Sequence, residues 1–193
     1  MAGIAEKTDC LGVLLAAGAS RRFGPDDKLL ASYGGAPLVV RAARALGAAG
    51  CDRLAAIVSS PGVAAALPEG FAGVFVEPDQ PMAVSFRRAI DLARETGAAR
   101  LLICLGDMPN LPVDLLRRLR GMDGSAACLA EGVRMPPMLL LARDYAAARE
   151  GAEGDRGARR FLATLPESAL LALTPEQARD IDRPADIDAP DAG

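Results

Sequence analysis

The pattern of apolar and polar positions divides the first two thirds of the chain into short buried strands and amphipathic helices. Continuous apolar runs at residues 10–16, 54–58, 73–76 and 101–105 predict strands covered on both faces, as in a parallel sheet. Segments with helical spacing follow at residues 37–49, 82–96 and 112–119, and each ends near a glycine. Strands and helices that alternate in this way predict βαβ units and an α/β fold with a mostly parallel sheet.

The pattern changes after residue 125. Short apolar runs at residues 126–130 and 138–141 are separated by a polar, proline-containing segment, which predicts a small antiparallel element in the C-terminal half. Helices are predicted at residues 145–150 and 157–165, and a short strand at 169–173. Since no repeat or linker divides the chain, we predict one three-layer domain over residues 1–193.

Composition and charge narrow the function classes. The 193 residues are 51% hydrophobic and 24% charged, which indicates a globular protein with a sizeable core. The net charge of -3 gives no general attraction to a polyanion, so we expect no nucleic-acid partner. The chain has no histidine, which excludes histidine as a general base or metal ligand. Any metal would therefore be a hard cation held by oxygen, which favours Mg²⁺.

Cysteine spacing and the N-terminal segment indicate a cytoplasmic protein without membrane contact. No two of the four cysteines have the Cys-x-x-Cys spacing of zinc or redox motifs, so buried free thiols are expected. The apolar run at residues 11–19 follows Glu6 and Asp9, where a signal peptide would carry positive charge. No apolar run is long enough to cross a bilayer.

A glycine-rich loop follows the first predicted strand. Gly18 would let backbone N–H groups approach an anion, and Arg21, Arg22 and Lys28 add positive charge suited to a triphosphate. The loop is neither a Walker A motif nor Gly-x-Gly-x-x-Gly. A tight surface turn with incidental arginines is the alternative interpretation.

Acidic residues follow the strand at 101–105 and recur near the C-terminus. In an open α/β sheet, ligands bind beyond the carboxyl ends of the strands, where Asp107 would stand. A carboxylate there suits Mg²⁺, although a turn aspartate capping the next helix would look the same. The three aspartates at positions 180, 182 and 186 surround Pro184 and could equally cap a final helix.

The first loop carries a longer string, Leu-Ala-Ala-Gly-x-Ser-x-Arg-x-Gly followed by Lys-Leu-Leu. This string resembles the signature of the nucleotidyltransferases that process molybdenum cofactor, whose wider relatives include sugar-nucleotide pyrophosphorylases. The resemblance extends over about residues 10–188 and implies a Rossmann-like nucleotidyltransferase fold. The nucleotide-site residues that it implies are Leu15, Ala16, Ala17, Gly18, Ser20, Arg21, Arg22 and Lys28.

Two further motifs carry the resemblance. Gly106-Asp-Met-Pro109 is similar to the family's metal-binding motif, and Asp180-Ile-Asp-Arg-Pro-Ala-Asp186 to its C-terminal Asp-Ile-Asp-Thr-Pro-x-Asp. The resemblance implies that Asp107 and Asp182 are the Mg²⁺ ligands, with Asp182 preferred over Asp180. It also implies catalytic roles for Arg22, Lys28 and Asp107. Gly154-Asp-Arg-Gly-Ala-Arg159 is similar to a segment that faces the acceptor.

What the resemblance implies is transfer of CMP from CTP to a molybdopterin phosphate, with release of pyrophosphate. The Ala16-Ala17 pair looks like the cytidylyltransferase version, where the guanylyltransferase version more often has glycine second. The nucleotide-binding half would span about residues 10–110 and the acceptor-binding half about 111–188. Transient contact with a molybdoenzyme would follow.

The acceptor side departs from the family pattern. Glu77 replaces an asparagine and the following glycine is missing or displaced within residues 77–85, while Met135-Pro136-Pro137 replaces Gly-His-Pro. These departures leave three alternatives: GTP as the nucleotide, a sugar phosphate or another small phosphate as the acceptor, or a non-catalytic chaperone that carries molybdenum cofactor.

Overall fold

The computed structural model describes residues 9–18, 23, 27–154 and 157–187 of the chain. Its strands are β1 (Cys10–Ala16), β2 (Ser32–Tyr33), β3 (Ala36–Pro37), β4 (Arg53–Val58), β5 (Phe71–Phe75), β6 (Arg100–Leu105), β7 (Ala126–Ala130), β8 (Val133–Leu141) and β9 (Leu170–Ala172). Its α-helices are α1 (Leu38–Gly47), α2 (Pro61–Ala66), α3 (Met82–Glu95), α4 (Val113–Arg120), α5 (Tyr145–Glu150), α6 (Arg159–Leu162) and α7 (Pro175–Ala178).

Seven strands form one mostly parallel sheet in the order β5-β4-β1-β6-β8-β7-β9, which confirms the predicted α/β class. β1 pairs in parallel with β4 on one side and β6 on the other. β8 runs antiparallel to both β6 and β7, and is the strand that opposes the rest of this sheet. The predicted antiparallel element is therefore present, and β2 and β3 form a separate antiparallel pair.

Helices cover both faces of the sheet, as the buried strands require. The crossover from β1 through α1 leads to one neighbour of β1, and the crossover from β5 through α3 returns across to β6. Since such crossovers are right-handed, the two helices lie on opposite faces. α4 packs beside α1, and α5 packs beside α3. All seven residues of β1 are buried, which explains its uninterrupted apolar sequence.

The structure differs from the sequence prediction at four places. β8 begins at Val133, so Pro136 and Pro137 lie within the strand instead of in a loop before it. In the pairing of β8 with β7, Met138 lies opposite Ala127, but the next pair is Cys128 with Met135. Pro136 and Pro137 fall in this irregularity, where the ladder does not need the N–H groups that proline lacks.

The other three corrections concern short elements. The segment predicted to end the second strand instead starts α2, because the Ser60 side chain accepts from the backbone N–H of Val63 and Pro61 occupies the first helical turn. The pair β2–β3 was not predicted, since strands of two residues have no periodicity. The helix predicted at residues 157–165 is only α6, four residues long.

Within the described residues, no helix is both long and apolar enough to span a bilayer. All four cysteines are free thiols; Cys51 is partly exposed and the other three are buried.

Candidate active site

The carboxyl ends of β1 and β6 form the centre of the candidate site. The parallel ladder continues one residue beyond the strands, because the Gly106 N–H donates to the carbonyl of Leu15 over 2.9 Å. A Cβ atom at Gly106 would lie 3.3 Å from that carbonyl oxygen and 3.3 Å from the Cβ of Ala16. Glycine therefore permits the close approach of the two strand ends, and it places Asp107 directly at the rim of the sheet.

Lys28 reaches this rim from a 3₁₀ turn at Lys28–Leu30. The Asp27 side chain caps the turn by accepting from the N–H of Leu29, whose own side chain is buried in the core. The Lys28 ammonium donates to Oδ2 of Asp107 over 2.8 Å and to Oδ1 of Asp182 over 2.9 Å. Lys28 is only 7% exposed, which is unusual for a lysine and requires such partners. Three predicted site residues, distant in sequence, thus converge on one point.

The C-terminal segment is anchored so that Asp182 faces Asp107. The N–H of Ile181 donates to the carbonyl of Asp107 over 3.0 Å, and the Ile181 side chain is fully buried. The Asp186 carboxylate accepts from the N–H groups of Asp182 and Arg183, over 3.0 and 2.7 Å. These bonds fix the backbone on both sides of the Asp182 side chain.

Charge is concentrated around the Lys28 ammonium. Desolvation lowers the pKa of Lys28, but the charge and hydrogen bond of Asp107, with those of Asp182, outweigh it and raise the pKa above its usual value. Asp180 stands beside the same carboxylates. Its pKa is raised, first by desolvation and then by the negative charge of Asp107. The site therefore brings three acidic groups, Asp107, Asp180 and Asp182, close to the Lys28 ammonium.

The remaining predicted nucleotide-site residues fall into two groups. Leu15, Ala16 and Ala17 are buried at the end of β1, whereas Gly18 is exposed and, among the described residues, no group lies within 4 Å of its Cβ position. The predicted residues Ser20, Arg21 and Arg22 lie outside the described part of the chain.

The donor set around Lys28 suits a hard divalent cation. Two carboxylates already hold one cationic group between them, and their oxygens are the ligands that Mg²⁺ and Mn²⁺ accept. In the described part of the chain, no group of three or more acidic or cysteine side chains is placed to hold a metal alone. Mg²⁺ sites of the kind that use one or two carboxylates plus substrate phosphates fit this arrangement.

Both segments that depart from the family pattern lie at the same rim. Glu77 follows the carboxyl end of β5, and it is exposed. Because β8 is antiparallel to β6, its residues before Met138, including Met135, extend beyond Ile103 toward this edge. Near the start of α3, a Cβ at Gly157 would lie 3.2 Å from the sulfur of Met82. The segment predicted to face the acceptor is thus close to α3.

Two residues that support the site were not predicted in these roles. The Asn110 side chain donates to the hydroxyl of Tyr33 and to the carbonyl of Glu176, each over 3.3 Å, and so ties the Asp107 loop to the C-terminal segment. Nothing in the sequence marks this long-range contact. Asp186, which accepts from the N–H groups of Asp182 and Arg183, was indicated in the sequence only by its spacing from Asp182, which is typical of a capping aspartate.

A family model, described as the MobA-like NTP transferase domain, matches residues 12–170. This span covers most of the chain. The chain is a member of the MobA-like NTP transferase family. The family and the fold confirm that the protein is a nucleotidyltransferase enzyme, as predicted, and they oppose the non-catalytic alternative. Among proteins with curated functions, none is significantly similar in sequence.

Solved structures resemble this NTP transferase over nearly its full length. Rv0371c from Mycobacterium tuberculosis H37Rv is 25% identical with a TM-score of 0.77, covering 91% of this chain and 94% of its own. A second structure of that protein, a complex with manganese, has 23% identity and a TM-score of 0.67 over 86% and 89% of the chains.

Two other structures share the fold at lower identity. A nucleotidyl transferase from Methanothermobacter is 21% identical with a TM-score of 0.74, covering 92% of this chain and 93% of its own. A CMP:2-keto-3-deoxy-manno-octonic acid synthetase complexed with CTP is 15% identical with a TM-score of 0.66, covering 91% and 94%.

Proposed function

We propose that this NTP transferase uses a divalent cation, Mg²⁺, to transfer CMP from CTP to the phosphate of a molybdopterin-type acceptor, with release of pyrophosphate. The observation that carries the proposal is the Lys28 ammonium, held 2.8 Å from Asp107 and 2.9 Å from Asp182 at the sheet rim. Those groups supply both signs of charge that a metal-bound triphosphate needs.

The acceptor phosphate needs no side-chain base, because it is already an anionic nucleophile. It attacks the α-phosphorus, the bond to the bridging oxygen breaks, and pyrophosphate leaves with the electron pair. In this proposal Lys28, together with Arg22, neutralises charge on the phosphates, and the backbone at residues 15–18 binds the nucleotide. A chain without histidine is chemically adequate for this reaction.

Asp107 and Asp182 are the proposed metal ligands. A divalent ion bound there would neutralise phosphate charge and orient the triphosphate. The manganese complex of the M. tuberculosis relative supports divalent-cation binding in this fold. Mg²⁺ is the proposed ion, because its preference for carboxylate, phosphate and water oxygens matches the two carboxylates of Asp107 and Asp182.

CTP is the proposed nucleotide. The support is the Ala16-Ala17 pair at the end of β1 and the CTP complex of a protein with the same fold. In this proposal about residues 10–110 form the nucleotide half and about residues 111–188 form the acceptor half, which contains Met135. A molybdoenzyme would then receive the finished cofactor by transient contact.

The test is pyrophosphate release with CTP, MgCl₂ and molybdenum cofactor precursor. We expect Asp107→Asn to lower the rate about 100-fold or more, because each 1.4 kcal/mol of lost charge stabilisation costs about tenfold and metal ions contribute several kcal/mol. Asp123→Asn is the matched control, since Asp123 is an exposed loop residue after α4. Full activity of Asp107→Asn would contradict the proposed metal site.

The nucleotide and acceptor are tested separately. Thermal shift with each of the four NTPs in MgCl₂ reports the bound nucleotide, because a ligand that binds only the folded chain raises Tm. A larger shift with GTP would refute CTP as the substrate. Turnover of CTP with a sugar phosphate but not with the cofactor precursor would refute the molybdopterin acceptor and leave nucleotidyl transfer intact.

A further inference from the structure

Two cysteines meet at the opposite end of β1 from the candidate site. Cys10 is the first residue of β1, and Cys51 lies in the turn that precedes β4. Their sulfur atoms are 3.7 Å apart. The pair lies about 20 Å from Ala16, the last residue of β1, at about 3.3 Å per residue. Nothing in the proposed transfer reaction uses these thiols.

The backbone holds the two thiols together. The N–H of Asp52 donates to the carbonyl of Cys10 over 2.9 Å, and the N–H of Cys10 donates to Oδ2 of Asp52 over 3.0 Å. Gly12 leaves the space that the Cys51 sulfur fills, because a Cβ at Gly12 would lie 3.0 Å from that sulfur. Both sulfurs therefore pack on the same face of β1.

The separation of the two residues also suits a covalent bond. Disulfides join residues whose Cα atoms lie about 4.4–6.8 Å apart. β1 and β4 pair Leu11 with Arg53, so Asp52 comes opposite Cys10. Cys51 is the residue before Asp52 in the chain and is therefore a diagonal neighbour of Cys10. Strands lie about 4.8 Å apart, so such diagonal neighbours fall within that range.

We propose that Cys10 and Cys51 are a redox-sensitive dithiol site that peroxide converts to an intramolecular disulfide. One thiolate attacks an oxygen of hydrogen peroxide, the O–O bond breaks, and hydroxide leaves as a sulfenic acid forms on sulfur. The second thiol then attacks the sulfenic sulfur, and the S–O bond breaks with release of water. Two thiols and one peroxide give one disulfide and two waters, and the two electrons pass from sulfur to peroxide oxygen.

Local charges favour the first step. The hydrogen bond with Cys51 and the positive charges of Arg120 and Arg100 lower the pKa of Cys10, although burial and Asp52 oppose this. The same contact raises the pKa of Cys51, so the pair loses its first proton more readily than its second. Cys10 is buried, but Cys51 is partly exposed, so the pair borders solvent on the Cys51 side.

The other two cysteines provide an internal contrast. Burial raises the pKa of Cys104 and raises that of Cys128 to about 12, and both are buried. They therefore lack both features of the Cys10–Cys51 pair, namely a lowered pKa and a partly exposed partner. Cys128 lies in β7, three strands from β1.

The bond would close the segment that contains β1, Lys28 and α1. Closing a loop of this length removes conformational freedom from the unfolded chain, so we expect oxidation to raise Tm by on the order of 5–10 °C. CTP binding should stay within about twofold of the reduced protein, because the pair is remote from the rim.

The experiment exposes the full chain to hydrogen peroxide, alkylates the remaining thiols and maps peptides by mass spectrometry without reduction. We expect a Cys10–Cys51 linked peptide and a raised Tm, both reversed by dithiothreitol. Cys51→Ser should show neither, and Cys128→Ala, the matched control, should show both. Cys10→Ala removes the other thiol of the pair, so the test can still be decided if one of the two variants fails to fold.

The proposal is wrong if folded wild-type protein gives no linked peptide under peroxide. It is also wrong if the disulfides formed are intermolecular, or if Cys104 and Cys128 are oxidised first. Each of these results is independent of whether CTP is the substrate, because the assay uses no nucleotide.

Discussion

Replacing Lys28 with methionine tests the centre of the candidate site. Methionine keeps most of the volume of the lysine stem but removes the ammonium, so the carboxylates of Asp107 and Asp182 lose their shared cationic partner. The two like charges then face each other at the sheet rim. We expect the variant to fold, to be less stable, and to lose nearly all transferase activity.

The magnitude follows from how far each side chain is exposed. Removing one partner of a fully buried ion pair costs about 3–5 kcal/mol, whereas exposed pairs are worth about 0–1 kcal/mol. The Lys28 side chain is 9% exposed, but those of Asp107 and Asp182 are 21% and 36% exposed. Solvent screening therefore places the cost between these limits, at about 1–3 kcal/mol. For a chain of this size that lowers Tm by about 2–12 °C.

The assay is urea unfolding at neutral pH, with Lys28→Arg as the charge-preserving control. Because the pKa of Lys28 is raised, its contribution is fully present below the ordinary lysine value of 10.5 and is lost only as the pH rises through the raised pKa. Neutral pH is thus inside the window. MnCl₂ should restore part of the lost stability of Lys28→Met, since a divalent cation also neutralises the carboxylates.

A Lys28→Met variant with an unfolding free energy within about 0.5 kcal/mol of wild type would refute this reasoning, because that range is typical of surface substitutions. So would equal losses in Lys28→Met and Lys28→Arg, which would indicate a packing effect in place of a charge effect.

Three further predictions concern the supports of the site and its metal. Asp186→Ala should lower the free energy of unfolding in urea by about 1 kcal/mol, because the N–H groups of Arg183 and Asp182 lose their acceptor. Those N–H groups lower the pKa of Asp186, so its contribution to stability is complete above pH 3.8 and is lost as the pH falls through the lowered pKa. An unchanged acid-unfolding midpoint would contradict this role. Gly106→Ala should cost about 1–3 kcal/mol and reduce CTP binding in thermal-shift titrations, because the new methyl crowds the end of β1. Gly121→Ala should be near neutral, because its methyl would make only ordinary contacts, at 3.5 and 3.6 Å, with the carbonyl oxygens of Arg117 and Arg118. Finally, EDTA should abolish pyrophosphate release and added MgCl₂ should restore it; activity that persists in EDTA would exclude a metal requirement.

Local sequence was sufficient for the central part of the fold. β1 and β6 are buried on both faces, so their apolar runs are uninterrupted, and their predicted bounds differ from the observed ones by at most one residue. The strand ends also indicated the site, because parallel strands present their carboxyl ends on one edge. Asp107 could therefore be placed at the rim from its position after β6.

Features that depend on distant partners were not predictable in this way. The start of β8 contains Pro136 and Pro137, whose tolerance depends on the irregular pairing with β7. The hairpin of β2 and β3 has no periodicity, and Asn110 acts through contacts with Tyr33 and Glu176 that no local pattern indicates. The convergence of Lys28 and Asp182 was implied only by family resemblance.

The long sequence separation within the site has a consequence for biosynthesis. Lys28 and Asp182 are 154 positions apart, yet the ammonium of one contacts the carboxylate of the other. During translation the sheet through β6 emerges from the ribosome long before residue 182 does. A nascent chain that has exposed this part of the sheet therefore lacks the second carboxylate partner of Lys28 until residue 182 has also been synthesised, several seconds later at about 5–20 residues per second.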